Sequence, residues 1–365
     1  MNSLSLLAMT VSESADDQVV LVSSAEFVLK SSPVRRTLEQ RLIDDLRFAL
    51  RNSGFHDFTT DKAAGRIIVG RISDAMLAAR VIARVFGVAS AAPAVRVEGS
   101  MEAILNAVLQ RAVKTLTADQ SFAIRCHRSS QSMISTRGVE REGGSQILSA
   151  LAGRKIKVNL NQPDILISVD LSGQNAYVYT TRLQGPGGLP LSSQWKMLAV
   201  LDSGPQSLFA AYVMMRRGCL TQLLIPCSST DAYFLSEHQL MLARKLREFV
   251  TRENYPGFIL ELDKMPQASK IIRRISLEFA RKHRFRGVIF ADVAGAIAVD
   301  SSLTRRSQEL ALPIFQPLIG LDEMDLRKLG QLLDVEWCHS GKVSIESNAL
   351  VDSLDLANMI TEISL

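Results

Sequence analysis

Four short apolar segments in the second half of the chain limit the folds open to it. They are KMLAVLD, TQLLIP, GFILELD and GVIFADV, and a helical pattern follows each one. Strands that are apolar on both faces need helices on both sides of their sheet, as in parallel α/β folds. We therefore predict a doubly wound parallel sheet here, with ligands bound beyond the carboxyl ends of its strands.

The first half has a different pattern and predicts two smaller mixed α/β domains. Residues 18–99 follow the order strand, helix, strand, helix, strand, as expected of an α+β sandwich. Then a helix leads to a strand, a polar helix near 136–153 and three strands of alternating polarity. The segment QGPGGLPLSSQ at 184–194 is the clearest linker. The predicted domains are residues 1–99, 100–190 and 191–365.

Composition and charge bear on location and partners. Of 365 residues 47% are hydrophobic and 22% charged, which is ordinary for a folded protein. No run approaches the ~20 apolar residues of a membrane span, and no signal peptide is evident, so we expect a cytoplasmic protein without membrane contact.

Lys and Arg outnumber Asp and Glu by 22 to 17 in residues 1–195, whereas residues 196–365 are balanced. A basic front half suits a polyanion such as RNA.

The turn after the first apolar strand stands where a phosphate-binding loop would stand. It is DSGPQS, residues 202–207, and it opens onto the helix LFAAYVMMRRG. The amino end of a helix offers free N–H groups and a positive dipole to an anion. Asp202 adds a negative charge, however, and Pro205 removes one donor. The residues alone leave two interpretations open, a phosphate site or an ordinary capped turn.

A long helix is predicted over residues 266–284, after the third apolar strand. Its apolar stripe should face the sheet, and its opposite face should carry basic residues toward RNA or solvent. The stripe is Ile271, Ile275, Leu277 and Phe279, and the basic face includes Arg273, Arg274, Arg281 and Lys282.

Several segments along the chain match one family pattern. EFVLKSSPVRR matches GEIxLKxxxxR, ARVFGVASAAPA matches xRVFGIxSxxPA, and NQPDILISVDL with AYVYT matches the closing strands of a THUMP domain. GPGGLPLSSQWKMLAVL matches GxGGLPxGxQGKxLxLL, AAYVMMRRG matches the helix after a nucleotide loop, and PLIGLDEMDLRKLGQLL matches PLIGxDKxEIxxxAxxIG. From about residue 18 to about residue 340 the chain thus resembles the ThiI family, the tRNA 4-thiouridine synthetases.

The resemblance implies three domains and a chemistry. A ferredoxin-like domain and a THUMP domain would bind tRNA, and a PP-loop ATPase domain with a HUP-like sheet would follow. The family adenylates uridine 8 of tRNA with ATP and then replaces the activated oxygen with sulfur. ATP and Mg²⁺ are therefore the implied cofactors. The implied partners are tRNA, a sulfur donor protein such as a cysteine desulfurase, and a second copy of the chain in a homodimer.

Two nucleotide-contacting segments of the family are altered here. Against the PP-loop signature SGGxDS the chain has DSGPQS, which keeps only the second Gly and the last Ser. The family segment TGExLGQVASQT falls on FADVAGAIAVDSS, and a preceding arginine falls on a lysine. The nucleotide-binding candidates by this resemblance are Leu201, Asp202, Ser203, Gly204, Ser207, Lys270 and Asp300. Because a carboxylate near a triphosphate is repelled by about 1–4 kcal/mol, we expect ATP-dependent catalysis to be weakened or lost.

The four cysteines bear on metal binding and on sulfur transfer. They lie far apart without a CxxC pair, which argues against a zinc site or a disulfide framework, and no metal site is predicted. By resemblance, the family uses a late cysteine of the PP-loop domain together with a rhodanese domain, or cysteines within the PP-loop domain. Cys338 lies near the family's late cysteine, and Cys227 stands at the end of the second apolar strand, toward the predicted pocket. These two are the candidate catalytic thiols, and Cys126 and Cys219 are assigned to packing.

Basic side chains that suit RNA phosphates occur near the first helix and through the THUMP region. They are Lys30, Arg35, Arg36, Arg125, Arg128, Arg137, Arg141, Arg154, Lys155 and Lys157. Contacts of this kind give salt-sensitive affinity without reading bases. The alternative for this group is a solvated basic face.

Three functions remain open from the sequence. The first is an ATP-dependent tRNA sulfurtransferase with an unusual loop. The second is a THUMP and PP-loop pseudoenzyme that binds or presents tRNA, and the third is an unrelated metabolite sensor. Nucleotide binding separates the first from the second, and tRNA binding separates both from the third.

Overall fold

The computed structural model describes residues 17–24, 26–27, 30–63, 65–128, 133–202, 204–228, 237–262, 268–293, 307–309, 311–336 and 360–364. The chain divides into two compact units. The first unit is Met1–Leu29 with Leu46–Gly187, and the second is Lys30–Asp45 with Gly188–Leu365. In the described part of the chain, no helix has the length and the apolar character needed to cross a membrane.

Helices and strands alternate along both units. The helices are α1 (Ser32–Asn52), α2 (Ala75–Ile82), α3 (Met101–Thr115), α4 (Thr136–Ala150), α5 (Pro205–Arg216), α6 (Glu237–Arg247), α7 (Ala268–Lys282) and α8 (Glu323–Leu333). The strands are β1 (Gln18–Ser24), β2 (Thr59–Ala63), β3 (Arg66–Gly70), β4 (Val88–Glu98), β5 (Ser121–Arg128), β6 (Lys157–Val158), β7 (Ile165–Ser172), β8 (Asn175–Tyr179), β9 (Leu183–Gln184), β10 (Lys196–Val200), β11 (Leu220–Ser228), β12 (Pro256–Leu262), β13 (Val288–Ile289), β14 (Ile314–Phe315) and β15 (Ile360–Ser364).

The first unit contains one continuous sheet. Its strand order is β2-β3-β1-β4-β8-β7-β5-β6, and β9 pairs with β4. The strands predicted for the ferredoxin-like part and those predicted for the THUMP part meet where β4 pairs with β8 in antiparallel register, with Val95 opposite Val178. Strand β2 was not predicted, because its sequence TTDKA is polar and no residue in it is fully buried.

Helices α3 and α4 cover the THUMP part of this sheet. They form a core with β5 and β7 that includes Ile104, Val108, Val139, Ile124 and Val169. A Cβ atom at Gly143 of α4 would lie 2.9 Å from the Cδ1 atom of Ile124, so a larger residue there would force that side chain to shift. Cys126 belongs to the same core, in agreement with its predicted packing role.

A buried ion pair ties β3 to β7 within this unit. Arg66 donates to the carboxylate of Asp170, which also accepts a hydrogen bond of 3.0 Å from the Tyr179 hydroxyl. Arg182 donates to that hydroxyl at 2.5 Å. Because both partners are largely withdrawn from water, removing either would leave an uncompensated charge.

The second unit contains the predicted doubly wound sheet. Its strand order is β14-β13-β10-β11-β12-β15, in which β10 to β14 run parallel and β15 pairs antiparallel with β12. From β10 the chain winds outward through β11 and β12, and then returns to the other side of β10 to form β13 and β14. The winding direction therefore reverses between β10 and β13, which is where ligands bind in sheets of this kind.

A buried carboxylate on α1 belongs to the second unit. Asp45 is completely buried, and its Oδ1 accepts a hydrogen bond of 2.8 Å from Thr251 and lies 3.7 Å from an Arg252 nitrogen. Its Oδ2 has no hydrogen-bond partner among the residues described. Loss of water on burial raises the pKa of Asp45 to about 7, despite the opposing effects of Thr251 and Arg252.

Candidate nucleotide loop and RNA-contact residues

The loop between β10 and α5 lies at the reversal point of the second sheet. Helix α5 begins with Gly204 as N-cap and Pro205 at its first positions, and no side chain caps it. The Gly204 N–H donates a hydrogen bond of 2.9 Å to Oδ1 of Asp202. The loop therefore contains its own anion, bonded to an N–H that a phosphate oxygen would need.

Two further described positions of this loop offer no free donor. The Ser207 hydroxyl donates to the carbonyl oxygen of Gly204 at 2.7 Å and lies 3.3 Å from that of Asp202. Pro205 has no N–H group. A phosphate arriving at these residues would have to replace internal hydrogen bonds rather than satisfy free groups.

The side chain of Gln206 lies against this turn. It is 6% exposed, and its Oε1 would stand 2.4 Å from a Cβ atom at Gly204. Where the PP-loop signature has an aspartate, this chain thus has Gln206, whose neutral amide packs against Gly204. Any residue larger than glycine at 204 would have to displace it.

Charge around Asp202 disfavours a second anion. Although the residue as a whole is exposed, loss of water around its carboxyl raises the pKa of Asp202, and the nearby Asp292 carboxylate raises it further. The hydrogen bonds from Gly204 and Ser207 and the charge of Arg273 act in the opposite direction. Loss of water is the larger cause of the raised pKa, and the Asp292 carboxylate is a negative charge that a second anion at this loop would also meet.

Arg273 and Asp292 form an ion pair beside this loop. Arg273 of α7 donates to Asp292, and its guanidinium carbon lies 4.5 Å from the centre of the Phe290 ring. Gln316 donates to the other oxygen of Asp292 at 2.6 Å. The prediction that Arg273 lies on the outer basic face of the helix was therefore wrong, because the side chain is held by groups just beyond β13. Arg274 is exposed, as predicted.

Several predicted site residues fall outside the described part of the structure. They are Ser203, Asp300, Cys338 and the side chain of Lys270. Their roles stay predictions. Leu201 is buried, and its carbonyl oxygen accepts a hydrogen bond of 3.3 Å from Gln239 of α6. This bond joins the start of the loop to α6.

Cys227, the described thiol candidate, lies on β11. Its Sγ is 3.6 Å from the carbonyl oxygen of Leu260 on the neighbouring strand. Burial raises the pKa of the Cys227 thiol, and the Glu261 carboxylate raises it further. A nucleophilic cysteine needs a lowered pKa, so this environment does not favour the thiolate.

The RNA-contact candidates divide between the two units. Lys30 and Arg36 are exposed in the second unit, and Arg35 there pairs with Glu39 at 2.7 Å. In the first unit Arg137, Arg141, Lys155 and Lys157 are exposed. Three of the predicted arginines there instead bond to backbone carbonyl oxygens: Arg125 to Leu160, Arg128 to Ile134, and Arg154 to Val113 and Leu116.

Comparison with known proteins gives the family. The family model of the ThiI ferredoxin-like domain matches residues 19–92, and that of the THUMP domain matches residues 98–181. A Methanosarcina mazei protein named probable tRNA sulfurtransferase is 28% identical over 382 residues, which cover 95% of this chain and 94% of that protein. The chain belongs to the ThiI family. A tRNA sulfurtransferase of Pyrobaculum aerophilum is 30% identical over 86% of this chain and 66% of its own length.

Solved structures agree with the ThiI fold. A Pyrococcus horikoshii protein superposes with a TM-score of 0.69 at 24% identity and covers 87% of this ThiI-family chain and 100% of its own. A 4-thiouridine synthetase, crystallised with RNA and bound ATP, superposes with a TM-score of 0.69 at 20% identity, covering 87% and 84%. The predicted fold class and family resemblance are thereby confirmed.

Proposed function

We propose that this chain binds tRNA through its ferredoxin-like and THUMP parts, and that ATP-dependent chemistry at its PP-loop position is weakened or lost. The observation that carries the second statement is the hydrogen bond from the Gly204 N–H to the Asp202 carboxylate. This carboxylate takes the place of a phosphate oxygen. We also propose the domain boundaries 1–99, 100–190 and 191–365.

The described loop residues do not fit a triphosphate. An incoming phosphate would have to break the Gly204 contact and then remain close to both Asp202 and Asp292. Each nearby carboxylate would cost the complex about 1–4 kcal/mol unless a cation or a proton relieved it. Among the residues described, Arg273 is the cation that acts on Asp202, and it is already paired with Asp292.

Binding of tRNA is supported by the family and by the exposed cations. The curated relatives carry the name tRNA sulfurtransferase, and a solved structure of this fold contains RNA. Arg137, at the start of α4, is exposed and makes no hydrogen bond or ion pair with any residue that the structure describes. It is therefore available for an RNA phosphate.

A second candidate function is an active tRNA sulfurtransferase. A relative named probable tRNA sulfurtransferase matches along 95% of the chain, and a protein of the same fold was crystallised with bound ATP. In this case ATP and Mg²⁺ would bind despite the altered loop, Cys338 or Cys227 would supply the thiol, and a donor protein such as a cysteine desulfurase would supply sulfur. Loss of 4-thiouridine from the tRNA of cells lacking this chain would favour this candidate over the first.

Substitution of single exposed arginines tests the tRNA surface. We expect Arg137→Gln to weaken tRNA binding about 3- to 10-fold at physiological salt, and to lower the slope of log affinity against log salt by about 1, because one phosphate contact is lost. Filter binding over a range of salt concentrations measures both.

Arg327→Gln is the matched control for this variant. Arg327 is equally exposed, lies in the second unit and pairs with Glu323 on its own helix, so this variant should retain the slope of the unmodified protein. An unchanged slope for Arg137→Gln would remove Arg137 from the tRNA contact. Absence of tRNA binding by the unmodified protein at every salt concentration would overturn the proposed tRNA function.

A further inference from the structure

A tryptophan stands exposed at the amino edge of the second sheet, the edge opposite the nucleotide loop. Trp195 directly precedes β10 and is 59% exposed. Its backbone is fixed, because its carbonyl oxygen accepts from the Leu220 N–H at 3.1 Å and the preceding residue, Gln194, donates to Gly218 at 3.0 Å. The family pattern has glycine at this position, so the indole is a feature of this chain.

Exposed cations lie on the segments that enter the amino edge of the second sheet. Parallel strands begin at one edge of a sheet, so the segments that enter β10, β11 and β13 lie side by side there, and the Arg286 N–H donates to the Lys196 carbonyl oxygen at 2.9 Å. We call Trp195 and these cations the amino-edge patch. The cations are Lys196, Arg216, Arg217, Arg281, Lys282, Arg284 and Arg286, all of them exposed.

Among the residues that the structure describes, two carboxylates near this edge are identified. Glu362 of β15 acts electrostatically on Lys196 and His283, and Glu253 precedes β12, two strands away from β10. The cations that end α5 and α7 also stabilise the carbonyl ends of those helices. Lys196, Arg284 and Arg286 lie outside the helices, so helix stabilisation does not account for them; the Lys196 ammonium also lies 4.4 Å from the centre of the Phe285 ring.

We propose that the amino-edge patch binds an unpaired stretch of RNA, with one base stacked on Trp195 and the neighbouring phosphates held by its cations. An aromatic face inside a basic surface is the arrangement that proteins use for single-stranded nucleic acid. A membrane would require a larger apolar surface than one indole. The proposal takes its ligand class from the proposed tRNA function, but it involves a different unit from the THUMP cations.

Binding of a 12-nucleotide oligouridylate to the full-length protein tests this proposal. Stacking on an indole contributes about 5- to 100-fold in affinity per base. We expect Trp195→Ala to lose that factor, Trp195→Phe to keep most of it, and Arg286→Gln to reduce the salt slope by about 0.7. Tryptophan fluorescence should be quenched on binding, and this quenching should disappear in Trp195→Phe.

Each outcome separates this proposal from the proposed function. Equal oligouridylate affinity for the unmodified protein and Trp195→Ala would overturn the amino-edge patch while leaving tRNA binding intact. Loss of oligouridylate binding in Trp195→Ala, with no tRNA binding by any form, would support the patch and overturn the tRNA function. If inorganic polyphosphate bound as tightly and quenched the indole equally, base stacking would be wrong.

Discussion

Replacing Asp202 by serine is expected to tighten the binding of ATP with Mg²⁺ by at least fivefold, and by up to several hundredfold. The substitution removes the internal anion, frees the Gly204 N–H and restores the first residue of the PP-loop signature. The repulsion removed corresponds to about 1–4 kcal/mol. Isothermal titration calorimetry of the unmodified protein and the variant measures the difference directly.

The pH dependence of nucleotide binding adds a second test of Asp202. Because the pKa of its carboxyl is raised by loss of water and by Asp292, the group takes up its proton at a higher pH than an ordinary aspartate. As pH falls through that raised pKa, the unmodified protein should approach the affinity of Asp202→Ser. Asp74→Ser is the control, since it removes the same charge from a helix N-cap in the first unit. Equal ATP affinity of Asp202→Ser and the unmodified protein at all pH values would contradict the internal-anion account.

Replacing Asp45 by asparagine is expected to stabilise the protein at pH 8, by at most about 4 kcal/mol. The pKa of Asp45 is raised from its ordinary value of 3.8 to about 7 in the folded state, so the folded protein binds this proton more tightly than the unfolded chain. The free energy of unfolding therefore falls as pH rises from about 4 to about 7. Asparagine keeps an acceptor for Thr251 without the buried charge.

Urea denaturation at several pH values tests the Asp45 prediction. The unmodified protein should lose stability between pH 5 and pH 8, and Asp45→Asn should lose much less. Asp44→Asn is the matched control because Asp44 is the adjacent carboxylate, is exposed and accepts a hydrogen bond of 3.1 Å from Gln40. Lower stability of Asp45→Asn than of the unmodified protein at pH 8 would show that the charge of Asp45 is stabilising.

The parts of the fold that sequence predicts well are those set by burial. Strands β10, β11 and β12 are nearly continuous apolar runs, and they form the predicted parallel sheet. Strands β2 and β15 were not predicted. The β2 segment TTDKA has no fully buried residue, and the β15 segment ITEIS mixes polar and apolar residues. Their pairing depends on partners that are distant in sequence.

The position of the loop was predicted from the sequence, but its internal contacts were not. The loop follows the first apolar strand, at the edge where the carboxyl ends of parallel strands meet. Loop geometry determines that the Asp202 carboxylate accepts a hydrogen bond from the Gly204 N–H. Contacts between elements determine that Arg273 turns toward Asp292 and Phe290. Helical periodicity assigned Arg273 to the outer face because it carries no information about what lies beyond the end of β13.

Equilibrium dialysis of the unmodified protein with ATP and Mg²⁺, with and without tRNA, tests the central claim most directly. The account predicts salt-sensitive tRNA binding and no saturable ATP binding below millimolar concentrations in either case. Saturable micromolar ATP binding, with pyrophosphate released when tRNA is added, would contradict it and establish the active sulfurtransferase instead.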